Sequence, residues 1–251
     1  MEIYLVGGAV RDGLLGLPVK DRDWVVVGGD DARMRARGLQ PADSAFSVYR
    51  DPASGDEYAL ARRETKRGAG YRGFEIDDGP GVTLEEDLSR RDLTVNAMAQ
   101  AADGSLIDPF GGREELDLGH LRHVSPAFVE DPVRVLRIAR FAAYLGRHGF
   151  RVVHGTHRLL CDMVEQGEMV HLKEERVGRE TLRAMATEQP WRYFEVLHRC
   201  GALAVLLPVV ARAMGETEAH ANREDSAPVS ALKRITRASD DPVTRLVVVL
   251  V

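Results

Sequence analysis

The sequence predicts an α+β fold, a small mixed sheet with helices in the first half followed by an all-α second half. Two observations carry this. Up to about residue 125, short apolar or β-branched runs (Ile3–Val6, Trp24–Val27, Tyr58–Ala61) alternate with glycine turns and short helical stretches. From about residue 126, apolar residues recur at helical spacing around 131–147, 156–166, 174–187 and 190–200, with Leu, Val, Ala and Met at core positions. With 251 residues, 44% of them hydrophobic, the chain can bury a sizeable core and is expected to form linked domains. No internal repeat or low-complexity tract interrupts it.

Taken in order, Ile3–Val6 reads as a buried strand and Gly7-Gly8 as a turn whose missing Cβ atoms let another group approach the backbone. Ala9–Leu15 has helical spacing, so its first amides face the glycines. Strand, diglycine and helix start together make an anion-binding corner. Arg11, in the first helical turn, adds a charge suited to phosphate.

The next strand begins in an acidic stretch, Asp21-Arg22-Asp23-Trp24. Strand alternation turns Asp21 and Asp23 to one face, with Arg22 and Trp24 on the other. Two ionised carboxylates on one face repel each other, so folding alone gives no reason for them. A divalent cation does, because Mg²⁺ prefers carboxylate and phosphate oxygens. A metal pair beside a phosphate cradle suits nucleotidyl transfer, one metal activating the attacking hydroxyl and a second steadying pyrophosphate. By itself, an Asp-x-Asp or a diglycine is more often a solvated strand end or a plain turn.

The combination Gly7-Gly8-Ala9-Val10-Arg11-Asp12 followed by Asp21-Arg22-Asp23 resembles the signature of class II tRNA nucleotidyltransferases, the CCA-adding enzymes and the related bacterial poly(A) polymerases. Three further motifs follow in order: Arg90-Arg91-Asp92-Leu93-Thr94-Val95-Asn96-Ala97, Asp108-Pro109-Phe110-Gly111-Gly112, and Glu130 to Arg140. The resemblance covers roughly residues 1–205 and is nearest, over the first 28, to the bacterial multifunctional CCA protein branch. It implies a DNA polymerase beta-like nucleotidyltransferase head over 1–125. A helical neck with a base-selecting motif over 126–208 and the start of a helical body over 209–251 would follow. Longer members of that branch continue into an HD phosphohydrolase domain. No His-Asp dipeptide occurs here, so that activity is not expected, and the chain is either a fragment or a shortened form.

The later motifs also have a reading of their own. Arg90 and Arg91 follow the acidic turn Leu84-Glu85-Glu86-Asp87-Leu88 and precede an expected helix holding Asn96. Adjacent arginines diverge, so one at most serves a given pocket. The resemblance puts Arg91 on the nucleotide, while Arg90 fits a surface pair with the upstream acids. Asp92 is a candidate to orient an arginine and Asn96 to hold the sugar or a backbone group. Glu130-Asp131-Pro132 is a good helix start. Arg134, Arg137 and Arg140 then form a slowly rotating basic stripe, with Val135, Leu136, Ile138, Ala139 and Phe141 as core. Spaced arginines usually mark a solvated helix face. The resemblance instead implies that Asp131 and Arg134 select the base. The carboxylate would accept from the amino group that C and A share and the guanidinium would donate to the ring acceptors. Arg137 and Arg140 would meet triphosphate or pack beside the base. Gly8 and Arg11 would cradle the triphosphate, and Asp21 and Asp23 would be the catalytic, Mg²⁺-binding pair.

Glu57 and Glu64 are candidate third acids, secured by no motif. Residues 67–81 lack periodicity and read as a mobile loop, which the resemblance makes a lever on the switch from C to A addition. Lys173–Met185 resembles the family's neck helix, and residues 211–228 read as a loop. The apolar end, Leu246–Val251, must pack against something. The net charge of −5 would not by itself predict a nucleic-acid partner, but residues 121–160 are rich in arginine and poor in acids. Cys161 and Cys200 show no metal spacing and read as reduced core residues of a cytoplasmic protein. There is no signal peptide and no apolar run long enough to span a membrane.

The expected activity is addition of C, C and A to tRNA 3′ ends from CTP and ATP, by a monomer. A poly(A) polymerase using ATP alone and a nucleotide- or RNA-binding module without turnover remain alternatives.

Overall fold

The computed structural model describes residues 1–43, 47–66, 74–215 and 226–250. Its contacts divide into two compact units, residues 1–118 with 123–130 and residues 119–122 with 131–251.

The first unit is built on a seven-stranded mixed sheet. In chain order it contains β1 (Glu2–Val6), α1 (Gly8–Leu14), β2 (Asp23–Val27), α2 (Asp31–Ala36), β3 (Gln40–Asp43), β4 (Val48–Arg50) and β5 (Glu57–Leu60). A separate hairpin, β6 (Arg63–Lys66) with β7 (Phe74–Asp77), comes next. It is followed by α3 (Leu84–Ser89), a 3-10 turn at Thr94–Asn96, β8 (Ala99–Gln100), β9 (Leu106–Ile107) and α4 (Gly112–Asp117). The strand order is β3-β4-β5-β2-β1-β8-β9, with β1 antiparallel to β2 and β8, and β2 parallel to β5. Alternation along β2 explains the two cores. Val25 joins Val6, Leu88, Ala97 and Ala99 on one face, while Val26 packs with Met34, Leu39, Tyr49 and Leu60 on the other.

Two expectations change here. Of the supposed loop 67–81, residues 67–73 lie outside the described residues, but Phe74–Asp77 is a strand paired with Arg63–Lys66. Its four alternating residues were too short a run to stand out among glycines. Asn96 lies on the 3-10 turn rather than a helix. Thr94 and Val95 are β-branched and stiff, and the turn is fully buried.

The second unit is helical apart from a two-residue parallel pair, β10 (His120–Leu121) with β11 (Arg151–Val152). Its helices are α5 (Val133–Tyr144), α6 (His154–Glu165), α7 (Glu174–Met185), α8 (Trp191–Arg199), α9 (Ala202–Leu206), α10 (Pro208–Met214), α11 (Ala227–Ile235) and α12 (Pro242–Leu250). The central helix α5 packs against α7 and α8, and Val135, Leu136, Ile138 and Ala139 are wholly buried. Residues 211–228 are not simply a loop. Pro208 opens a helix that runs to Met214, Pro228 sits in the first turn of another, and residues 216–225 lie outside the described residues. The apolar end is a helix with mixed burial. Val249 is buried, whereas Val243, Val247 and Leu250 are half exposed. No helix among the described residues is long and apolar enough to cross a membrane.

Candidate active site

The glycine corner forms as the local sequence dictates. Gly7 caps α1 at φ 67°, ψ −130°, a conformation side chains resist. Its amide donates to the Met98 carbonyl at 3.3 Å. A Cβ on Gly7 would lie 2.9 Å from Nη1 of Arg91, and one on Gly8 would lie 3.5 Å from Nη2 of Arg11. The two glycines therefore make room for two guanidiniums against the turn.

The acidic pair abuts this corner through strand register. Val6, the residue before Gly7, is the antiparallel partner of Asp23, so their side chains share a face. The Arg22 carbonyl accepts from the Glu57 amide at 3.2 Å, so β2–β5 pairing extends beyond the strand's formal start at Asp23. Asp21 lies two residues before the strand, outside its paired register. Both aspartates are exposed to solvent.

No group of three His, Cys, Asp or Glu residues poised to hold a metal occurs among the described residues. Neither candidate third acid joins the pair. Glu57 is the strand neighbour of Asp23, but its carboxylate accepts from Arg50 at 2.7 Å. Glu64 is taken by Arg62 at 2.8 Å and Arg90 at 3.0 Å. Two exposed carboxylates beside an anion corner still fit Mg²⁺, which binds through one or two carboxylates plus substrate phosphates and keeps several waters.

Arg91 reaches the corner because a buried acid holds it. Helix α3 opens with a Thr83–Glu86 capping box and closes at Arg90. Asp87, 0% exposed, lies three and four residues before the two arginines, on the same helix face. Its Oδ1 accepts from Arg90 Nη2 at 2.7 Å and Nε at 3.2 Å, and its Oδ2 accepts from Arg91 Nη2 at 3.1 Å. Burial alone would raise the Asp87 pKa, but the charges of Arg90 and Arg91 outweigh it and hold the carboxyl below its ordinary value. Arg90 is therefore no surface pair. It is tied to Asp87, Glu64 and the Arg62 carbonyl. Arg91 Nη1 donates to the Asn96 carbonyl at 3.4 Å, and its buried Nε has no hydrogen-bond partner among the described residues.

Arg11 is 4% exposed and is fixed from two sides. Its Nε donates to Asp12 at 2.9 Å and its Nη1 donates to Oδ1 of Asn96 at 2.5 Å. Asn96 in turn donates through Nδ2 to Asp92 at 2.9 Å. Asp92 thus orients Asn96, and Asn96 orients Arg11. The third motif supports the same turn. Asp108 caps α4 by accepting from the amides of Gly112 (2.7 Å) and Arg113 (2.9 Å). A Cβ on Gly112 would lie 2.3 Å from the Thr94 carbonyl, so only glycine lets α4 dock on the turn that carries Asn96.

In the helical unit, Asp131 stands one residue before Pro132, the N-cap of α5. Its two oxygens accept from Arg176 at 3.0 and 2.8 Å, a bidentate pair from α7, and Oδ1 also accepts from the Val133 amide at 3.1 Å. Arg134 is 9% exposed, so the basic stripe is not a solvated face. Arg140 donates to Glu180 at 2.7 Å and lies 4.3 Å over the Phe141 ring, while Arg137 lies 5.7 Å over the same ring. Asp87, Arg176 and Glu180 are the residues that sequence reasoning missed. Asp87 had a legible signal in its i,i+3 and i,i+4 spacing to the arginines; Arg176 and Glu180 had none.

Residues 3–122 match the family described as the poly A polymerase head domain, and residues 149–214 match the one described as the probable RNA and SrmB-binding site of polymerase A. A multifunctional CCA protein of Nitrosococcus oceani is 59% identical over 210 residues, covering 84% of this chain and 51% of the relative. One of Neisseria gonorrhoeae is 53% identical over 241 residues, covering 96% and 58%. The chain thus spans somewhat more than half the length of these relatives. Among solved structures, a tRNA nucleotidyltransferase complexed with a primer tRNA and an incoming ATP analog superposes with a TM-score of 0.72 at 26% identity. That match covers 99% of this chain and 72% of the other. The Bacillus stearothermophilus CCA-adding enzyme in complex with CTP gives 0.70 at 26% identity, covering 99% and 62%. With these two matched regions taking in most of its length, the chain belongs to the nucleotidyltransferase family of the poly A polymerase head domain, the family of the multifunctional CCA proteins.

Proposed function

We propose that this chain adds C, C and A, without a template, to the 3′ end of tRNA, using CTP and ATP and releasing pyrophosphate. The observation that carries the reading is the convergence on Gly7, with Arg91 against the turn and Asp23 in register with the strand residue before it. Gly8 and the first amides of α1 receive triphosphate oxygens, and Arg91 supplies positive charge there. Arg11, buried behind the turn, fixes the corner's shape and adds its field. Asp21 and Asp23 hold Mg²⁺, which when bound lowers the cost of forming the attacking alkoxide and neutralises charge on the triphosphate.

Base selection falls to Asp131 and Arg134. With Arg176 and the Val133 amide on Oδ1, Oδ2 keeps a lone pair beyond its bond from Arg176, and the fork fixes the plane in which that oxygen accepts from an exocyclic amine. G and U present a carbonyl at that position, which would face the Asp131 carboxylate acceptor against acceptor and be rejected. Arg137 and Arg140, stacked on Phe141, give the base a cationic neighbour. The same reading makes the chain a cytoplasmic monomer.

The test is incorporation of each nucleotide in turn into a tRNA lacking its terminal CCA. CTP addition followed by a single ATP addition is expected. Repeated ATP addition without CTP would instead support a poly(A) polymerase, which the head-domain match also accommodates. No incorporation at high tRNA concentration would reduce the chain to a binding module.

A further inference from the structure

A second cationic feature lies wholly within the helical unit, built from none of the residues discussed so far. A cleft of about 330 Å³ opens between α5, β11, α6 and α8, over an apolar floor. Arg151, Arg192, Arg199, His154 and His157 line it, and Glu195 is its one carboxylate. Helix periodicity explains the gathering. Arg192, Glu195 and Arg199 recur at i, i+3 and i+7 along one face of α8, and His154 and His157 lie three apart in the first turns of α6. The positive end of α6 adds to the same potential.

Folding does not account for this arrangement. In this unit Arg140 is paired with Glu180 and Arg176 with Asp131. Arg199 and His154 have no hydrogen bond or ion pair among the described residues. Arg192 donates to the Phe150 carbonyl at 3.0 Å, and among the described residues Arg151 has only His120 at 3.4 Å. Three arginines are thus gathered around a single lining carboxylate, and an anion relieves such an excess of positive charge. Burial first, and then the neighbouring Arg199 and His154, hold the His157 pKa below its ordinary value.

We propose that this cleft is a second phosphate site, one that takes a backbone phosphodiester of the RNA substrate. Guanidiniums in a fork suit phosphate oxygens, and an open cleft suits a polymer passing through. All three arginines and both histidines fall within the 149–214 match to a probable RNA-binding region. The choice of RNA as the source rests on the proposed function, but the phosphate chemistry does not.

The experiment compares the full chain with Arg199→Gln/His154→Gln, and with Arg158→Gln as a control for exposed charge outside the cleft. Binding of tRNA is followed by anisotropy across a salt series. The double variant should bind tRNA about tenfold more weakly, with its salt slope reduced by about one to two. The KM for CTP and kcat at saturating tRNA should be unchanged, as should the thermal midpoint. The imidazole signals of His154 and His157 should move when tRNA is added. A loss no larger than the control's would overturn the proposal. Imidazole shifts with inorganic phosphate but none with tRNA would overturn the RNA assignment. Should the parent chain bind tRNA yet incorporate no CTP, the enzymatic reading fails and the cleft stands.

Discussion

Replacing Asp87 by Asn tests whether a buried acid organises the nucleotide corner. The wild-type carboxylate is 0% exposed and serves Arg90 through one oxygen and Arg91 through the other. Asparagine keeps the shape and one acceptor. If its oxygen faces Arg90, its NH₂ stands where Oδ2 met Arg91 Nη2 at 3.1 Å, donor against donor. The variant therefore releases Arg91 in particular. Removing one partner of a buried pair costs about 3–5 kcal/mol, and the retained acceptor puts this case near the lower end, about 3 kcal/mol. At about 3 °C per kcal/mol, the unfolding midpoint of the first unit should fall by roughly 10 °C.

The pH dependence has a definite sign. Because the Asp87 pKa is depressed on folding, its stabilisation is complete above the unfolded carboxyl value, about 4, and fades as pH falls through the folded value. The gap between wild type and variant should be widest near neutral pH and narrow on acidification below about 4. Calorimetry across pH measures this. With Arg91 loosened from Gly7, the KM for CTP should rise about tenfold, the equivalent of one charge-assisted hydrogen bond. An unchanged midpoint at pH 7, or an unchanged KM with the midpoint lowered, would refute the argument that Asp87 positions Arg91.

Other expectations follow from the same geometry. Asp21→Ala should nearly abolish CTP incorporation while leaving circular dichroism and the thermal midpoint intact, since the side chain is exposed; substantial residual turnover would argue against a metal role. Gly7→Ala must adopt φ 67° and place Cβ 2.9 Å from Arg91 Nη1, so it should lose about 1–3 kcal/mol in urea unfolding and raise the KM for CTP. Arg176→Gln frees the Asp131 carboxylate; C and A addition should slow and misincorporation of GTP or UTP should rise, readable by competition assays. Arg245, 3% exposed, donates to the carbonyls of Met185 at 2.8 Å, Thr187 at 2.9 Å and Ser239 at 2.7 Å. Arg245→Met should strand those acceptors, destabilise the helical unit by about 3 kcal/mol and expose α12 to limited proteolysis.

What the sequence revealed was what is local. Strand β1, the diglycine, α1 and the start of β2 lie within 27 residues, and each is specified by turn chemistry and periodicity. The core positions of α5 followed from spacing alone. The contacts that aim the side chains were harder to read. Asp131 and Arg176 are 45 residues apart and Arg140 and Glu180 are 40, and no local pattern selects one acid or base among many at that range. The Thr94–Asn96 turn was misread for a related reason. Its conformation answers to the docking of Gly112 from another motif, and its Asn96 answers to Arg11, 85 residues away.

The apparent conflict between a net charge of −5 and a phosphate-handling role dissolves once the acids are assigned. Asp12 holds Arg11, Asp87 holds Arg90 and Arg91, Glu64 shares Arg90, and Glu180 holds Arg140. An arginine fixed by a buried carboxylate has already lost its rotamer entropy and meets a phosphate without paying it again. Its remaining donors keep their geometry even though the pair is formally neutral. Such a site works by orientation more than by excess charge, so salt should weaken nucleotide binding at the corner less than RNA binding at the arginine-rich cleft. Measuring both salt slopes on one preparation compares the two modes directly, and equal slopes would contradict the distinction.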